Sequence, residues 1–158
     1  MAQVFKIPEP LIMKNVAIVP GIDGKKMSKS YKNTIPLFGT DEEIKKAVMK
    51  IVTDSKKAGE SKNPETCNIF ALHKLFLDES ELKILKEKYE EGKIGYKESK
   101  EMLYEEIVNL IKPMRERREI YQRDLDNVRR ILEDGAKRAN EIALEKIKII
   151  RNKIGVNI

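Results

Sequence analysis

Lys25, Lys26, Lys29 and Lys32 fall within eight positions, interleaved with Gly24, Ser28 and Ser30 and preceded by Gly21. They belong to the run Pro-Gly-Ile-Asp-Gly-Lys-Lys-Met-Ser-Lys-Ser-Tyr, which covers Pro20 to Tyr31. A loop of that make-up can surround a polyphosphate. Glycine lets the backbone turn its N–H groups inward, the hydroxyls donate further bonds, and the ammonium groups supply compact positive charge. The same composition also describes a solvated basic turn between two elements, and composition alone does not choose between the two.

A second set of cations follows near the end of the chain: Arg115, Arg117, Arg118, Arg123, Arg129, Arg130, Lys137 and Arg138. The planar guanidinium fork suits phosphate oxygens and base edges, and it can stack on unpaired bases. Glu116, Glu119, Asp124 and Asp126 are interleaved with these arginines, so ion pairs along an exposed helix explain any single one equally well.

The remaining reactive residue types point to packing. His73 is the only histidine and lies at helical spacing with Phe70 and Phe76, which predicts a packed helix position. Cys67 is the only cysteine, which excludes an intrachain disulfide and a cysteine-built zinc or iron–sulfur site. It reads as a core or cap residue. Glu42/Glu43, Glu90/Glu91 and Glu105/Glu106 are sequence neighbours that diverge on a helix, so no carboxylate dyad is expected. No metal site is expected either.

The elements that carry these residues read as mainly α. At 158 residues, with 37% charged and only 6% aromatic side chains, the chain suits one helix-rich domain with a small appendage. Its net charge of +6 fits contact with phosphates as well as an ordinary basic protein. No apolar run approaches the roughly 18 residues that span a membrane. Met1 to Pro10 has neither the basic start nor the apolar stretch of a secretory signal, which predicts the cytoplasm.

Val16 to Val19 is a short apolar run ending at Pro20-Gly21 and predicts a buried strand, although no later segment offers it a partner. Thr34 to Phe38 predicts a second extended stretch. Helices follow. Thr40 with Glu43 forms a capping box ahead of Ile44, Val48 and Ile51. A polar loop from Asp54 to Pro64 precedes a helix starting near Glu65. Asp78 with Glu81 caps another helix, running to about Glu91. A long helix from near Tyr96 carries the stripe Leu103, Ile107, Leu110, Ile111 and Met114, with Pro113 kinking it without ending it. The last helix, from about Leu125 to Lys153, has Ala136, Ala139 and Ala143 in mid-stripe with Gly135 beside them, which predicts a closely approaching neighbour helix.

Several stretches carry a family resemblance. Lys26-Met27-Ser28-Lys29-Ser30 is the second signature of class I aminoacyl-tRNA synthetases. The flanks through Pro36-Leu37-Phe38, with Asn63 to Phe70, Ile111 to Arg118 and Gly135 to Ala139, resemble the C-terminal half of the bacterial-type tryptophan–tRNA ligase family. The tyrosine–tRNA ligases are the nearest relatives to exclude. The resemblance covers almost the whole chain, but the family's first signature, of His-Ile-Gly-His type, is absent. Val16 to Val19 then resembles the last strand of a Rossmann-type catalytic domain.

The resemblance implies two parts: residues 1–38, a residual end of that domain with the lysine loop at 20–32, and residues 39–158, a helical anticodon-binding bundle. It implies ATP, carried with Mg2+, tryptophan and tRNA(Trp) as partners, a homodimeric full-length enzyme and no membrane. Lys26 and Lys29 are implied as catalytic, with Gly24, Met27, Ser28 and Ser30 completing the ATP-binding set and Gly21 and Gly24 as hinges. Arg115, Arg117, Arg118, Arg123 and Arg130 are implied to bind tRNA. Some relatives hold an iron–sulfur cluster on several cysteines, which one cysteine cannot provide. The loop is expected to be disordered and idle in a chain lacking the other half of the site. A freestanding tRNA-binding helical module remains the alternative.

Overall fold

Hydrogen-bonded caps set where the helices begin. In the computed structural model of the protein, which describes residues 6–13 and 16–156, helix α1 (Asp41–Met49) starts at Thr40. The Thr40 hydroxyl accepts from the Glu43 N–H at 3.2 Å, and the Glu43 carboxylate accepts from the Thr40 N–H at 2.7 Å. Two of the donors that an α-helix leaves orphaned at its start are thereby satisfied. A 3-10 turn, Pro64–Thr66, leads into α2 (Asn68–His73). Helix α3 (Glu79–Glu90) opens on Asp78 and Glu81 in a second reciprocal cap. Helix α4 is Tyr96–Arg123 and α5 is Leu125–Ile154. Pro113 lies inside α4 without ending it, as its sequence predicts.

The chain divides into two units, one of Ile12–Arg115 and the other of Met1–Leu11 with Glu116–Ile158. The core lies in the first. Ile44, Val48 and Ile51 from α1 and its end, Ile69, Phe70 and Leu72 from α2, Leu85 and Tyr89 from α3, and Leu103, Ile107 and Ile111 from α4 are all buried. The i, i+3, i+4 spacing of these residues is what gives each helix one apolar face to bury. Leu110 and Met114, expected on the α4 stripe, lie at its edge and are 49% and 41% exposed.

Polar groups inside this core are joined in a chain. The His73 ring is fully buried, with Nδ1 2.9 Å from a Glu106 carboxylate oxygen and Nε2 3.1 Å from the Ser99 hydroxyl. Ser99 Oγ lies 2.6 Å from the Tyr89 hydroxyl, which in turn lies 3.8 Å from Cys67 Sγ. A carboxylate only accepts, so Nδ1 carries a proton toward Glu106. Nε2 faces both the Ser99 hydroxyl and the Ser99 carbonyl, each at 3.1 Å, and the Ser99 and Tyr89 hydroxyls share one hydrogen bond. Burial is the main reason the Tyr89 phenol is held above its ordinary pKa. His73 is thus a packed helix residue, as its spacing predicts, and it is also the link between α2 and α4.

Two expectations are corrected. Val16 to Val19 is not a strand; among the described residues the only β-type pairing is an isolated bridge between Pro20 and Lys26. A strand needs a neighbour for its backbone groups, and this sequence supplies none. The alanine-centred face of α5 meets no tightly packed helix: no α5 residue is buried, and a Cβ built on Gly135 has nothing within 4 Å. Small residues permit a close approach without specifying a partner.

Replacing His73 by Leu keeps the bulk but leaves Glu106 and the Ser99–Tyr89 pair short of a partner. It should lower unfolding free energy by about 1–3 kcal/mol in urea titration; a change below about 0.5 kcal/mol would show that the network is not structural.

Candidate functional site

The lysine loop is a backbone arc closed on itself. Gly21 N–H donates to the Lys25 carbonyl at 2.7 Å, Gly24 N–H to the Gly21 carbonyl at 3.0 Å, and Met27 N–H to the Val19 carbonyl at 2.8 Å. Beyond Met27, Tyr31 N–H donates to the Ser28 carbonyl at 3.2 Å and Lys32 N–H to the Lys29 carbonyl at 3.1 Å, giving two overlapping turns. The Ser30 N–H donates to the Ser28 hydroxyl at 3.3 Å, leaving that hydroxyl its own proton to donate elsewhere. The sequence reading expects disorder here, whereas the structure gives the loop a closed hydrogen-bonded form.

The arc is joined to the helical body at its base. Val52, after α1, donates its N–H to the Ile22 carbonyl at 2.8 Å, and Asn68 at the start of α2 donates its carboxamide to the Val52 carbonyl at 2.9 Å. Gly24 has φ +79°, and a Cβ there would stand 2.4 Å from the Asn68 side chain. Both the backbone conformation and the approach of Asn68 require glycine at this position.

Along this arc Lys25, Lys26, Lys29 and Lys32 are all exposed, while Met27 and Ser28 are half-buried. Lys26 and Lys29 make no ion pair among the described residues. The structure therefore brings Gly24, Lys26, Met27, Ser28, Lys29 and Ser30 together on one loop, with unneutralised ammonium groups and a donor hydroxyl. That arrangement can receive an anion carrying several negative oxygens.

Asn33 is the residue that sequence reasoning missed. It is 2% exposed, and its carboxamide bonds into the loop at Asp23, Lys26 and Ser28. The one available signal was an amide immediately after Lys32, whose φ of 53° turns the chain back toward the loop.

The arginines are not equivalent. The Arg115 guanidinium is engaged within the first unit, where it pairs with Asp41 and donates to the Gly39 carbonyl at 2.6 Å. It ties α4 to the start of α1. Arg123 lies 3.6 Å from Glu119 and Arg129 3.5 Å from Asp126, both at helical spacing. These pairs are largely exposed, and such pairs contribute little to stability and exchange readily for other anions. Arg130 is exposed on α5. Arg117 and Arg118 occupy the stretch of α4 between Arg115 and Arg123.

Ser99, His73 and Glu106 have the spacing of a nucleophile, base and orienting acid. Access rules that chemistry out, because His73 and Ser99 are both fully buried and Ser99 Oγ is also bound to Tyr89. Among the described residues no three His, Cys, Asp or Glu side chains gather to hold a metal ion, and no helix is long and apolar enough to cross a membrane.

Comparison with known proteins places this geometry. The family model described as tRNA synthetases class I (W and Y) matches residues 1–112, and the chain belongs to that family. Within it, the chain is similar to curated tryptophan–tRNA ligases. That of Fusobacterium nucleatum is 44% identical over 152 residues, covering 96% of this chain and 46% of the relative. That of Rhodopirellula baltica is 41% identical over 154 residues, covering 98% and 48%. The crystal structure of the tryptophanyl-tRNA synthetase from Campylobacter jejuni complexed with ADP and tryptophan superposes with a TM-score of 0.81 at 43% identity, covering 96% of this chain and 48% of that one. The chain spans about half the length of the curated relatives it matches.

The bond from Asn33 is the largest cause holding the Asp23 carboxyl below its ordinary pKa, with the Lys25 N–H adding to it. A depressed carboxylate pKa makes the Asp23–Asn33 contribution complete above the unfolded value of about 4 and removes it as pH falls through the lower folded value. Carbon-detected NMR titration of Asp23 should give a midpoint below that of an unstructured aspartate; an equal or higher midpoint would contradict the bond.

Proposed function

We propose that this chain is the C-terminal portion of a tryptophan–tRNA ligase. In this reading residues 1–38 are the loop-bearing end of the catalytic domain, and residues 39–158 are the helical anticodon-binding part. The carrying observation is the closed lysine loop with Lys26 and Lys29 exposed and unpaired, set in a chain whose curated relatives are tryptophan–tRNA ligases over about half their length. Adenine nucleotide and tryptophan in the Campylobacter jejuni structure support the substrate assignment.

In the proposed reaction the carboxylate of tryptophan attacks the α-phosphorus of ATP, a P–O bond to the β-phosphate breaks, and pyrophosphate leaves with the negative charge. Cations near the departing oxygens lower the barrier when they bind that charge more strongly than they bind the ground state. Lys29 takes this role, with Lys26 beside it and the hydroxyls of Ser28 and Ser30 donating to phosphate oxygens. Met27 and Gly24 hold the backbone between the loop and its base. Magnesium, which the family implies, would arrive with ATP as part of the substrate. The described residues of this chain offer it no cluster of three ligands.

The helical part is the proposed tRNA(Trp) surface. Arg117, Arg118, Arg123 and Arg130 are its contacts, the exposed ion pair of Arg123 yielding to a phosphate. Arg115 serves the same surface as an anchor, since Asp41 and Gly39 engage it. The complete enzyme is proposed to be a homodimer working in the cytoplasm. Once pyrophosphate has left, a terminal ribose hydroxyl of the tRNA attacks the carbonyl carbon of the adenylate, the new ester forms and AMP leaves, with this chain holding the tRNA.

Joining this chain to the remaining half of the Campylobacter jejuni relative should restore ATP–pyrophosphate exchange that depends on tryptophan. Exchange driven by tyrosine and not by tryptophan would overturn the proposal.

A further inference from the structure

A buried asparagine is costly unless its carboxamide is fully used, and Asn33 directs every one of its side-chain bonds into the lysine loop. Nδ2 donates to the Asp23 carboxylate at 2.7 Å and to the Lys26 carbonyl at 3.1 Å, and Oδ1 accepts from the Ser28 N–H at 2.8 Å. The orientation is unambiguous, because a backbone N–H can only donate and a carboxylate can only accept. Lys26 O and Ser28 N lie on either side of Met27. One rigid, planar group therefore sets the backbone between the lysine at 26 and the turns that present Lys29.

The sequence makes room for this group. A Cβ on Gly21 would fall 2.3 Å from Asn33 Nδ2, so any other residue at 21 would displace the carboxamide. The Asn33 carbonyl accepts from Ile22 N–H at 3.0 Å, and Ile22 is the residue bonded to Val52 at the base of the loop. None of the side-chain bonds of Asn33 reaches the helical body. Its side chain shapes the loop rather than fastening it.

We propose that Asn33 is a positioning residue for the pyrophosphate-leaving step: its carboxamide bridges Asp23, Lys26 and Ser28 and so fixes how the backbone presents Lys26 and Lys29 to a nucleoside triphosphate. The inference rests on the reading of the loop as an ATP-binding element. Asn33 touches no reacting atom. Its effect falls on the rate of the step that needs both lysines in place, and the binding of tryptophan is left unchanged.

Two measurements test it. In the 158-residue chain, Asn33→Ala should speed amide hydrogen exchange from Lys26 to Ser30 while the core amides of α2 and α4 keep their protection. In the joined protein, Asn33→Ala should lower kcat for exchange roughly 10- to 100-fold with the KM for tryptophan unchanged. Asn33→Asp faces Asp23 with a second carboxylate and should be at least as slow. The double variant Asp23→Asn with Asn33→Asp restores a donor–acceptor pair between the two positions and should recover part of the lost rate. Unchanged exchange protection in Asn33→Ala, or unchanged kcat, overturns the proposal while leaving the ATP reading intact. An unsubstituted joined protein with no exchange activity overturns the ATP reading itself, and the proposal with it.

Discussion

Between Val19 and Asn33 the backbone has neither a sheet nor a helix to take up its polar groups, and the lysines along it repel one another. Something other than those lysines has to hold the arc. Elsewhere in the chain lysine does hold loops: Lys62, buried, donates to the carbonyls of Lys57 and Glu60 at 3.1 and 2.8 Å, and Lys100 donates to those of Met49 and Ile51 at 3.0 and 2.7 Å. Lys100 sits at the negative end of α1, and burial lowers its pKa. Lys26 and Lys29 are exempt from such duty because Asn33, Gly21 and Gly24 close the loop through backbone and carboxamide bonds. Their charge stays free for a ligand. The loop's proposed action on a polyphosphate depends on that division of labour.

The helical unit supplies the frame. Buried faces of α1, α2, α3 and the first part of α4 form one apolar core, and the His73–Glu106 bond with the Ser99–Tyr89 pair satisfies the polar groups caught inside it. From that frame, Val52 and Asn68 reach the base of the lysine loop. Arg115 bonds the same frame to Gly39 and Asp41, just beyond the loop's exit. The segment proposed to stabilise pyrophosphate is therefore tied at entry and exit to the helices of its own unit.

Much of this was legible in the sequence. Reciprocal caps at Thr40 and Asp78 and the apolar spacing of Ile44, Val48, Leu103, Ile107 and Ile111 were readable because each depends on residues within a turn or two. The lysine loop was readable from its type and order of residues. What could not be read was every feature settled by a distant partner. Nothing local says that Lys62 and Lys100 hold carbonyls while Lys26 and Lys29 hold none, or that Arg115 meets Asp41. Val16 to Val19 carried the pattern of a strand but found no edge to pair with. The stripe on α5 marked a face without marking what covers it. Asn33 was in plain view but looked like an ordinary loop residue, since its role lies in three bonds running back over as many as ten positions.

The central claim is that Lys29 acts on the leaving group rather than on the amino acid. Its most direct test is the Lys29→Ala variant of this chain joined to the complementary half, followed by single-turnover formation of the tryptophanyl adenylate. The account predicts a rate at least about 100-fold slower with the dissociation constant for tryptophan unchanged. An adenylate formed at the unsubstituted rate, or a loss that appears only as weaker tryptophan binding, would contradict it.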